Sequence, residues 1–200
     1  GYLLQAVEPE FDFAHPEAAN AALNNAEFVV SLSAYKSDSL LNCADVLLPI
    51  APFTETSGTF VNIEGNWQSF QGAAKALGET RPAWKVLRVL GNLFHLDGFE
   101  YVSSEEVRDE LRSLTDGDPE GKSDWHGPAA LTAASDELVR VADVAAYATD
   151  SITRRAPALQ QTAQAVAAVA RINASVAASL GLGDAAKVEV CQGDSSCVVA

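Results

Sequence analysis

Three histidines are the side chains of this sequence best suited to proton transfer near neutral pH, and they lie far apart, at His15, His95 and His126. Nucleophilic catalysis requires a Ser, Cys or Thr beside such a base, and no local motif supplies that pairing. His95 falls at the end of a predicted helix, where a partial positive charge suits the helix dipole, and His126 falls in a predicted linker. We therefore expect all three histidines to be structural or solvated.

Three pairs of carboxylates are close enough in sequence for general acid–base chemistry. They are Glu8 with Glu10, Glu105 with Glu106, and Asp116 with Asp118. The first pair flanks a proline turn, the second opens a predicted helix and the third lies in a predicted linker. Each pair thus has a structural explanation, and we expect no catalytic carboxylate among them.

The three cysteines form no Cys-x-x-Cys pair, and their spacing matches no zinc or iron–sulfur framework. Cys43 stands in an apolar run and is predicted to be a small buried side chain. Cys191 and Cys197 flank a predicted turn, so they could face each other across a hairpin and pair under oxidation. The preferred alternative is two unpaired thiols in a reducing cytoplasm.

Motifs for nucleotide binding are also missing, since no strand is followed by Gly-x-Gly-x-x-Gly and no Gly-Lys-Ser/Thr loop occurs. The adjacent basic residues Arg154 and Arg155 could clamp a phosphate or carboxylate ligand. They could equally pair with acidic residues of a neighbouring domain, which is the interpretation we favour. The sequence therefore predicts no catalytic residue, no cofactor-binding residue and no metal ligand in this chain.

Composition excludes several classes of function. The 200 residues are 48% hydrophobic and carry a net charge of −14, with 27 acidic and 13 basic residues, so binding to nucleic acid is disfavoured. No apolar run reaches the roughly 18–20 residues that a membrane span needs, and no signal peptide is recognised. The chain contains no Met and both ends read as strands, so we expect a piece of a longer polypeptide.

The first third of the sequence alternates predicted strands and helices. Apolar strands are predicted at 2–7, 27–33 and 46–48, the last a buried strand that ends at Pro49. Helices are predicted at 16–25, opened by a proline, and as one or two turns at 36–42. This rhythm is typical of a parallel α/β sheet.

The middle of the sequence begins with an alternating segment at 59–63, followed by a predicted turn at Glu64-Gly65, with Trp67 and Phe70 as apolar anchors of a loop. An apolar stripe predicts a helix over 82–95, with Lys85, Arg88 and Asn92 on its outer face. A second helix is predicted over 104–114, with Ser103 and Glu106 as a capping box. We divide the chain into an α/β segment (1–114), a linker rich in Asp, Gly and Pro (115–130) and a last segment (131–200).

The last third is ambiguous between helix and strand. Residues 138–147 fit either state, and 163–180 fit one helix or a strand followed by a helix that begins near Asn173, a good N-cap residue. Gly181 stands where a glycine follows a helix end. Alternation at 187–190 predicts a half-buried strand.

One stretch, residues 44–65, resembles the Ala-Asp-Val-x-Leu-Pro … Glu-x-x-Gly-Thr-x-x-Asn-x-Glu-Gly signature of the molybdopterin-oxidoreductase family. We call it the motif segment; it reads Ala44-Asp45-Val46-Leu47-Leu48-Pro49, then Thr54-Glu55-Thr56-Ser57-Gly58-Thr59-Phe60-Val61-Asn62-Ile63-Glu64-Gly65. Flanking stretches resemble the large iron–sulfur subunit of NADH-quinone oxidoreductases (complex I) at residues 8–12, 32–37, 52–56, 78–88 and 154–160. Residues 171–190 are similar to the opening of the family's C-terminal double-psi β-barrel.

The resemblance implies an α/β fold, with the parallel-sheet portion of a molybdopterin-oxidoreductase-like domain followed by the start of a double-psi β-barrel-like domain. It implies a non-catalytic region of a complex that passes electrons from NADH to a quinone, lying peripherally on the cytoplasmic side of the bacterial inner membrane. The implied partners are other hydrophilic-arm subunits, with no direct membrane insertion. Iron–sulfur clusters are expected in an N-terminal part of the parent subunit, and no cofactor in this chain.

The alternative is a fragment of an active molybdopterin oxidoreductase of the formate dehydrogenase or nitrate reductase type. In such enzymes the region Asp45–Gly65 and the loop at Arg154 would lie around the pterin. The stretches at 52–56 and 78–88 favour the complex I interpretation.

Overall fold

The computed structural model describes residues 1–115, 138–141, 144–165, 168–183, 185–193 and 195–200. The chain divides into two compact units, an N-terminal unit, Gly1–Leu138, and a C-terminal unit, Val139–Ala200. The predicted linker at 115–130 lies outside the described residues except for Thr115, and so do His126, Asp116 and Asp118. The predicted domain boundary stays a prediction.

A three-stranded parallel sheet organises the N-terminal unit, with β2 between β1 and β3. Its strands and helices follow in chain order as β1 (Tyr2–Gln5), α1 (Pro9–Asp12), α2 (Pro16–Asn24), β2 (Val29–Ser33), α3 (Asp38–Cys43) and β3 (Val46–Pro49). The predicted α/β class is confirmed as a mixed α/β unit with a small parallel sheet.

The core of this unit lies where the sheet meets α2 and α3. Leu4, Leu23, Val29 and Leu40 are buried together, and Cys43 packs half-buried at their edge. Pro16 lies in the first turn of α2. Backbone N–H groups of a first turn have no acceptor within the helix, so the lack of an N–H in proline costs no helical hydrogen bond. The Ser37 hydroxyl accepts a hydrogen bond from the Leu40 N–H and so caps α3.

The strand β3 lies where the sequence predicts, but the prediction that it is buried is wrong in part. Val46 and Pro49 are exposed, and Leu47 and Leu48 are half-buried. The reason is topological, because β3 is an edge strand of a three-stranded sheet and only β2 lies beside it.

A β-hairpin follows, formed by β4 (Gly58–Val61) and β5 (Trp67–Phe70) after a short 3₁₀ turn at Phe53–Glu55. The predicted turn at Glu64-Gly65 is confirmed as part of the hairpin loop. The prediction that Trp67 and Phe70 anchor a loop is wrong, since both residues lie in a strand, β5. Phe70 stacks on Phe60 with ring centroids 5.1 Å apart.

Two longer helices, α4 (Ala83–Leu93) and α5 (Ser104–Thr115), confirm the two predicted in this region. The predicted capping box is present in altered form, because the Ser103 hydroxyl accepts from the Glu106 N–H while the Glu106 carboxylate accepts from the Val102 N–H. The prediction that Arg88 lies on the outer face of α4 is wrong. Arg88 is half-buried, and its guanidinium donates to the Tyr101 carbonyl over 2.8 Å.

The described part of the C-terminal unit contains three short helices and one hairpin. The helices are α6 (Ser151–Arg154), α7 (Pro157–Gln160) and α8 (Ala174–Ser179), and the hairpin pairs β6 (Val188–Gln192) with β7 (Ser195–Val199). The strand β6 confirms the one predicted from the alternation at 187–190. The described residues of 138–147 form neither an α-helix nor a strand, and Ala146 and Tyr147 begin a 3₁₀ turn, Ala146–Ala148.

The ends of α8 follow local signals of the sequence. Asn173 caps α8 by accepting from the Ser175 N–H, which confirms the helix start that the second alternative for 163–180 predicts. The strand that this alternative places before Asn173 is not found in the described residues 163–165 and 168–172. Gly181, at φ 67°, ends the helix, with bonds from its own N–H to the Ala178 carbonyl and from the Leu182 N–H to the Ala177 carbonyl.

The pairing of β6 with β7 contradicts one possibility raised for the cysteines. Cys191 lies opposite Ser196, and Cys197 lies opposite Val190. Because successive side chains alternate between the two faces of a strand, the two thiols point to opposite faces and do not face each other. Within the described residues of the C-terminal unit, this hairpin is the strand structure present. The start of a double-psi β-barrel stays a prediction.

A search of the described residues for a helix long and apolar enough to cross a membrane finds none.

Candidate functional site

The motif segment begins at the amino end of the sheet, where Asp45 joins β3 to β2. The Asp45 carboxylate accepts a hydrogen bond from the Val29 N–H over 2.7 Å, and the Asp45 N–H donates to the Val29 carbonyl over 2.9 Å. Val29 is buried, so this reciprocal pair satisfies main-chain groups at the start of two neighbouring strands. Asp45 therefore helps to set the pairing of β2 with β3.

At the opposite, carboxyl end of the sheet the chain turns away through Ile50 and Ala51, which are both buried. Ile50 forms a bridge to Arg81, and the Ala51 N–H donates to the Arg81 carbonyl over 2.9 Å. The Arg81 guanidinium donates to the carbonyls of Glu79 and Thr80. Open α/β sheets place ligands at this edge, and here a returning loop occupies part of it.

That returning loop, residues 72–81, is fastened to the motif segment by Thr54 and Glu55. The Thr54 carbonyl accepts from the N–H groups of Ala73 and Ala74, and the Glu55 carboxylate accepts from the Leu77 N–H over 3.0 Å. A Cβ added to Gly72 would lie 2.8 Å from the Thr56 nitrogen, so only glycine permits this close approach. Glu55 thus acts on the backbone of its own chain.

The last polar residues of the motif segment build the loop of the β4–β5 hairpin. The Asn62 side-chain oxygen accepts from the N–H groups of both Glu64 and Asn66. Gly65 adopts φ 79°, a left-handed conformation that favours glycine. The Asn-x-Glu-Gly sequence is therefore explained by the geometry of a hairpin turn.

An open groove lies along one side of this hairpin and has a volume of about 400 Å³. Its lining is mostly apolar and includes Phe53, Phe60, Gln68, Ser69, Phe70 and Gln71. Gly58 lies so close to the Phe70 ring that an added Cβ would come within 2.7 Å of Cζ. This groove is not predicted from the sequence because β5 is not, although a Gly-containing loop of five residues between two aromatic segments is a hairpin signal.

The helix α5 borders the groove through hydrogen bonds to the hairpin and its flanks. The Ser104 and Ser57 hydroxyls lie 2.7 Å apart, Arg108 donates to the Ser69 hydroxyl, and the Gln71 amide donates to the Glu105 carboxylate. Hydrogen bonding from its own backbone N–H, and then from Ser104 and Gln71, holds the pKa of Glu105 below its ordinary value. Glu105 is therefore an anion at neutral pH.

The histidines and cysteine singled out for chemistry do not converge in the described residues. His15 and His95 are exposed, His15 before α2 and His95 after the end of α4. Desolvation, and then the nearby Glu10 and Asp45 carboxylates, raise the pKa of the Cys43 thiol, which disfavours a nucleophilic thiolate. Across the described ranges no group of three or more His, Cys, Asp or Glu side chains could hold a metal ion.

The first carboxylate pair lies at the start of α1. Glu8 is buried and Glu10 is half-buried. The Glu8 N–H donates to the Asp12 carboxylate over 2.7 Å, so this acidic cluster closes the first turn of the helix. The second pair opens α5, where Glu106 belongs to the altered capping box and Glu105 binds Gln71.

In the C-terminal unit, the two adjacent arginines contact carbonyl groups near α6. The Arg154 guanidinium donates to the Ala148 carbonyl over 2.9 Å, and Arg155 donates to the Ser151 carbonyl over 3.0 Å. Both contacts stay within the unit. These contacts are compatible with both roles considered for the pair, binding a phosphate or carboxylate ligand and pairing with acidic residues of a neighbouring domain.

Comparison with known proteins relates the first half of the chain to a family. Residues 2–93 match the family model described as molybdopterin oxidoreductase. The matched range includes the parallel sheet, the motif segment, the residues that line the groove, and α4. This finding confirms the resemblance predicted from the sequence.

Individual relatives carry two kinds of name. A subunit of the NADH-quinone oxidoreductase of Mycobacterium tuberculosis is 42% identical over 73 residues, which are 36% of this chain and 9% of that protein; the same subunit of Mycobacterium bovis matches equally. A Staphylococcus aureus protein provisionally named a formate dehydrogenase is 36% identical over 95 residues, or 48% of this chain and 10% of that protein. The chain thus spans a tenth or less of these relatives, and all of them are named as redox enzymes or their subunits.

Proposed function

We propose that this chain, whose residues 2–93 carry a molybdopterin-oxidoreductase segment, is a non-catalytic structural and interaction region of the large iron–sulfur subunit of an NADH-quinone oxidoreductase. The observation that carries the proposal is the use of the polar motif residues. Asp45, Glu55 and Asn62 each accept hydrogen bonds from main-chain N–H groups of the same unit. The side chains of these three residues therefore stabilise the fold.

Such hydrogen bonds hold a side chain in one orientation and satisfy backbone donors that would otherwise be costly to bury. A catalytic acid or base instead needs access to a substrate proton and a pKa near the working pH. The Asp45 and Glu55 carboxylates contact the backbone, and Glu105, which borders the groove, has a lowered pKa. These features suit a scaffold better than a reaction centre.

In this role the chain would support electron transfer from NADH to a quinone without carrying the electrons. Iron–sulfur clusters would be held by other segments of the parent subunit, and the partners would be other subunits of the hydrophilic arm. The location would be peripheral, on the cytoplasmic side of the bacterial inner membrane. The C-terminal unit would begin the double-psi β-barrel-like domain.

The second candidate is a region of an active molybdopterin oxidoreductase of the formate dehydrogenase or nitrate reductase type. The similarity to the Staphylococcus aureus protein supports it. Under this candidate the region Asp45–Gly65 and the loop at Arg154 would lie beside a bound pterin. Those residues would then affect the reaction itself as well as the fold.

Replacement of Glu55 tests the proposal in the full-length subunit within its complex. We expect Glu55→Ala to lower the amount of assembled complex, because the loop 72–81 loses its carboxylate anchor, while NADH–quinone turnover per assembled complex is unchanged. Glu79→Ala is the matched control, since Glu79 lies in the same loop and is exposed. A loss of turnover per assembled complex of about 100-fold, the size expected for an acid–base group, would contradict the proposal.

A further inference from the structure

The parallel sheet of the N-terminal unit has two faces, and α2 and α3 pack on one of them. Leu23 of α2 and Leu40 of α3 are buried together with Leu4 and Val29 of the sheet. Successive side chains of a strand alternate between the two faces, so the register assigns the neighbouring residues to the other side. This second face consists of Leu3, Gln5, Phe28, Val30, Leu32, Val46 and Leu48.

Phe28 belongs to the second face although it precedes β2. Its carbonyl accepts a hydrogen bond from the Tyr2 N–H over 2.9 Å, so the pairing of β1 with β2 continues through Phe28. The next residue, Val29, points into the core beside α2 and α3. Alternation therefore places the Phe28 ring on the side away from these helices.

The second face is covered at one end and open at the other. Leu32 is buried towards the carboxyl end of the sheet. At the amino end Leu3 is 55%, Phe28 51% and Val46 36% exposed. An aromatic ring and two aliphatic side chains thus form an open apolar patch across all three strands.

The sequence of the strands is typical of a sheet that is buried on both faces. A sheet with one face in water alternates apolar with polar residues, whereas a parallel sheet between two helical layers has nearly continuous apolar runs. The run Val46-Leu47-Leu48 is of the second kind, as is the pair Leu3-Leu4. Apart from Gln5, the second face is made of apolar residues. We therefore expect a layer of helix on this face as well.

The topology of the sheet indicates which polypeptide supplies that layer. Parallel strands are joined by right-handed crossovers, so strands that follow one another in one direction place their helices on one face. The order β1-β2-β3, with α2 and α3 on the same face, follows this rule. Doubly wound sheets cover the other face with helices that connect strands added in the opposite direction. Such strands would lie beside β1 and belong to the same polypeptide.

The edge of the sheet and the size of the relatives both support this source. The edge strand β1 has no charged residue and no proline to protect it from pairing with a further strand, and its Tyr2 is 48% exposed. The matched stretches span a tenth or less of the relatives. A full-length polypeptide of that size has the length to supply further strands and their crossover helices.

We propose that the second face is a docking surface for an amphipathic helix of the same full-length polypeptide, from a segment outside these 200 residues. Its apolar stripe packs on Leu3, Phe28 and Val46, and it belongs to a crossover of a sheet that continues beyond β1. The contact is expected under both candidate functions, so the metal and pterin content that distinguishes them does not bear on it.

Photocrosslinking in the natively purified full-length protein tests the proposal. The photoreactive residue benzoylphenylalanine is introduced in place of Phe28, and mass spectrometry identifies the crosslinked peptide. Tyr2 is the matched control position, because it is also aromatic and half exposed but lies on the opposite face. We expect position 28 to crosslink to one segment outside the 200 residues, with apolar residues at three- and four-residue spacing. Position 2 should not reach that segment.

Thiol labelling provides a second measurement that introduces no bulky side chain. In Leu3→Cys and Val46→Cys, maleimide labelling of the native full-length protein should be at least about tenfold slower than labelling in urea, because a covered side chain reacts only after local opening. Mass spectrometry distinguishes the introduced thiols from the native cysteines.

Several results would overturn the proposal. They are labelling of both thiols in the native protein as fast as in urea, no crosslink from position 28, and a crosslink from position 28 to a separate subunit, to residues 1–200 or to the segment that position 2 reaches.

Discussion

At the scale of single residues, a structural role is enough to explain why the motif segment has an aspartate at position 45. Its carboxylate accepts the N–H of a residue 16 positions earlier, at the start of the neighbouring strand. A sequence motif identifies such an aspartate but not its partner, because the partner depends on the register between β2 and β3. The same limit applies to Glu55, whose acceptor role depends on the course of the loop 72–81.

We expect Asp45→Ala to lower the free energy of unfolding by about 1.5–3 kcal/mol, the usual effect of removing a charged hydrogen-bond partner. The physical cause is that the N–H of the buried Val29 loses its acceptor. The measurement is urea unfolding followed by tryptophan fluorescence. Asp97→Ala is the control, since Asp97 is exposed and makes no side-chain hydrogen bond within the described chain; equal effects of the two changes would contradict the structural role of Asp45.

At the scale of elements, the sequence predicts best where a local signal acts alone. Pro16, Asn173 and Gly181 mark helix ends through their own backbone chemistry or capping groups, and each lies at such an end. The strand β5 is not predicted, because Trp67-Gln68-Ser69-Phe70 lacks a strong alternating pattern and forms a strand only by pairing with β4. Tertiary contacts decide such segments.

The contact between α4 and the turn that follows it offers a test of packing. Gly91 lies against the Phe99 ring, and an added Cβ would come within 2.3 Å of it. We expect Gly91→Ala to destabilise the protein by about 1–3 kcal/mol through overpacking. In a Phe99→Ala background the same change should stabilise by up to about 1 kcal/mol, because Ala is the better helix former. Identical effects in both backgrounds, measured by thermal or urea unfolding, would exclude this contact as the cause.

The register of the β6–β7 hairpin predicts the redox behaviour of the C-terminal unit. Cys191 and Cys197 point to opposite faces, so mild oxidation of dilute protein should leave both thiols reactive. The variant Ser196→Cys with Cys197→Ser places the second thiol opposite Cys191 and should form an internal disulfide. Thiol titration and mass spectrometry report the outcome. An internal disulfide between Cys191 and Cys197 in the unaltered chain would show that the register is wrong.

At the scale of the whole molecule, the alternation of strands and helices in the first third is enough to predict the α/β class, because such a rhythm is typical of parallel sheets. The division at 115–130 and the barrel-like identity of the C-terminal unit remain predictions. They depend on how segments pair over long sequence separations, which composition and periodicity do not encode.

We propose that the full-length polypeptide carries iron–sulfur clusters but no molybdenum cofactor, and that this chain is part of its scaffold. The direct measurement is elemental analysis of the purified full-length polypeptide, combined with pterin fluorescence after oxidative release. We expect iron without molybdenum, tungsten or pterin. Stoichiometric molybdenum or tungsten together with pterin would contradict it, and would make the region Asp45–Gly65 and the Arg154 loop candidate cofactor contacts.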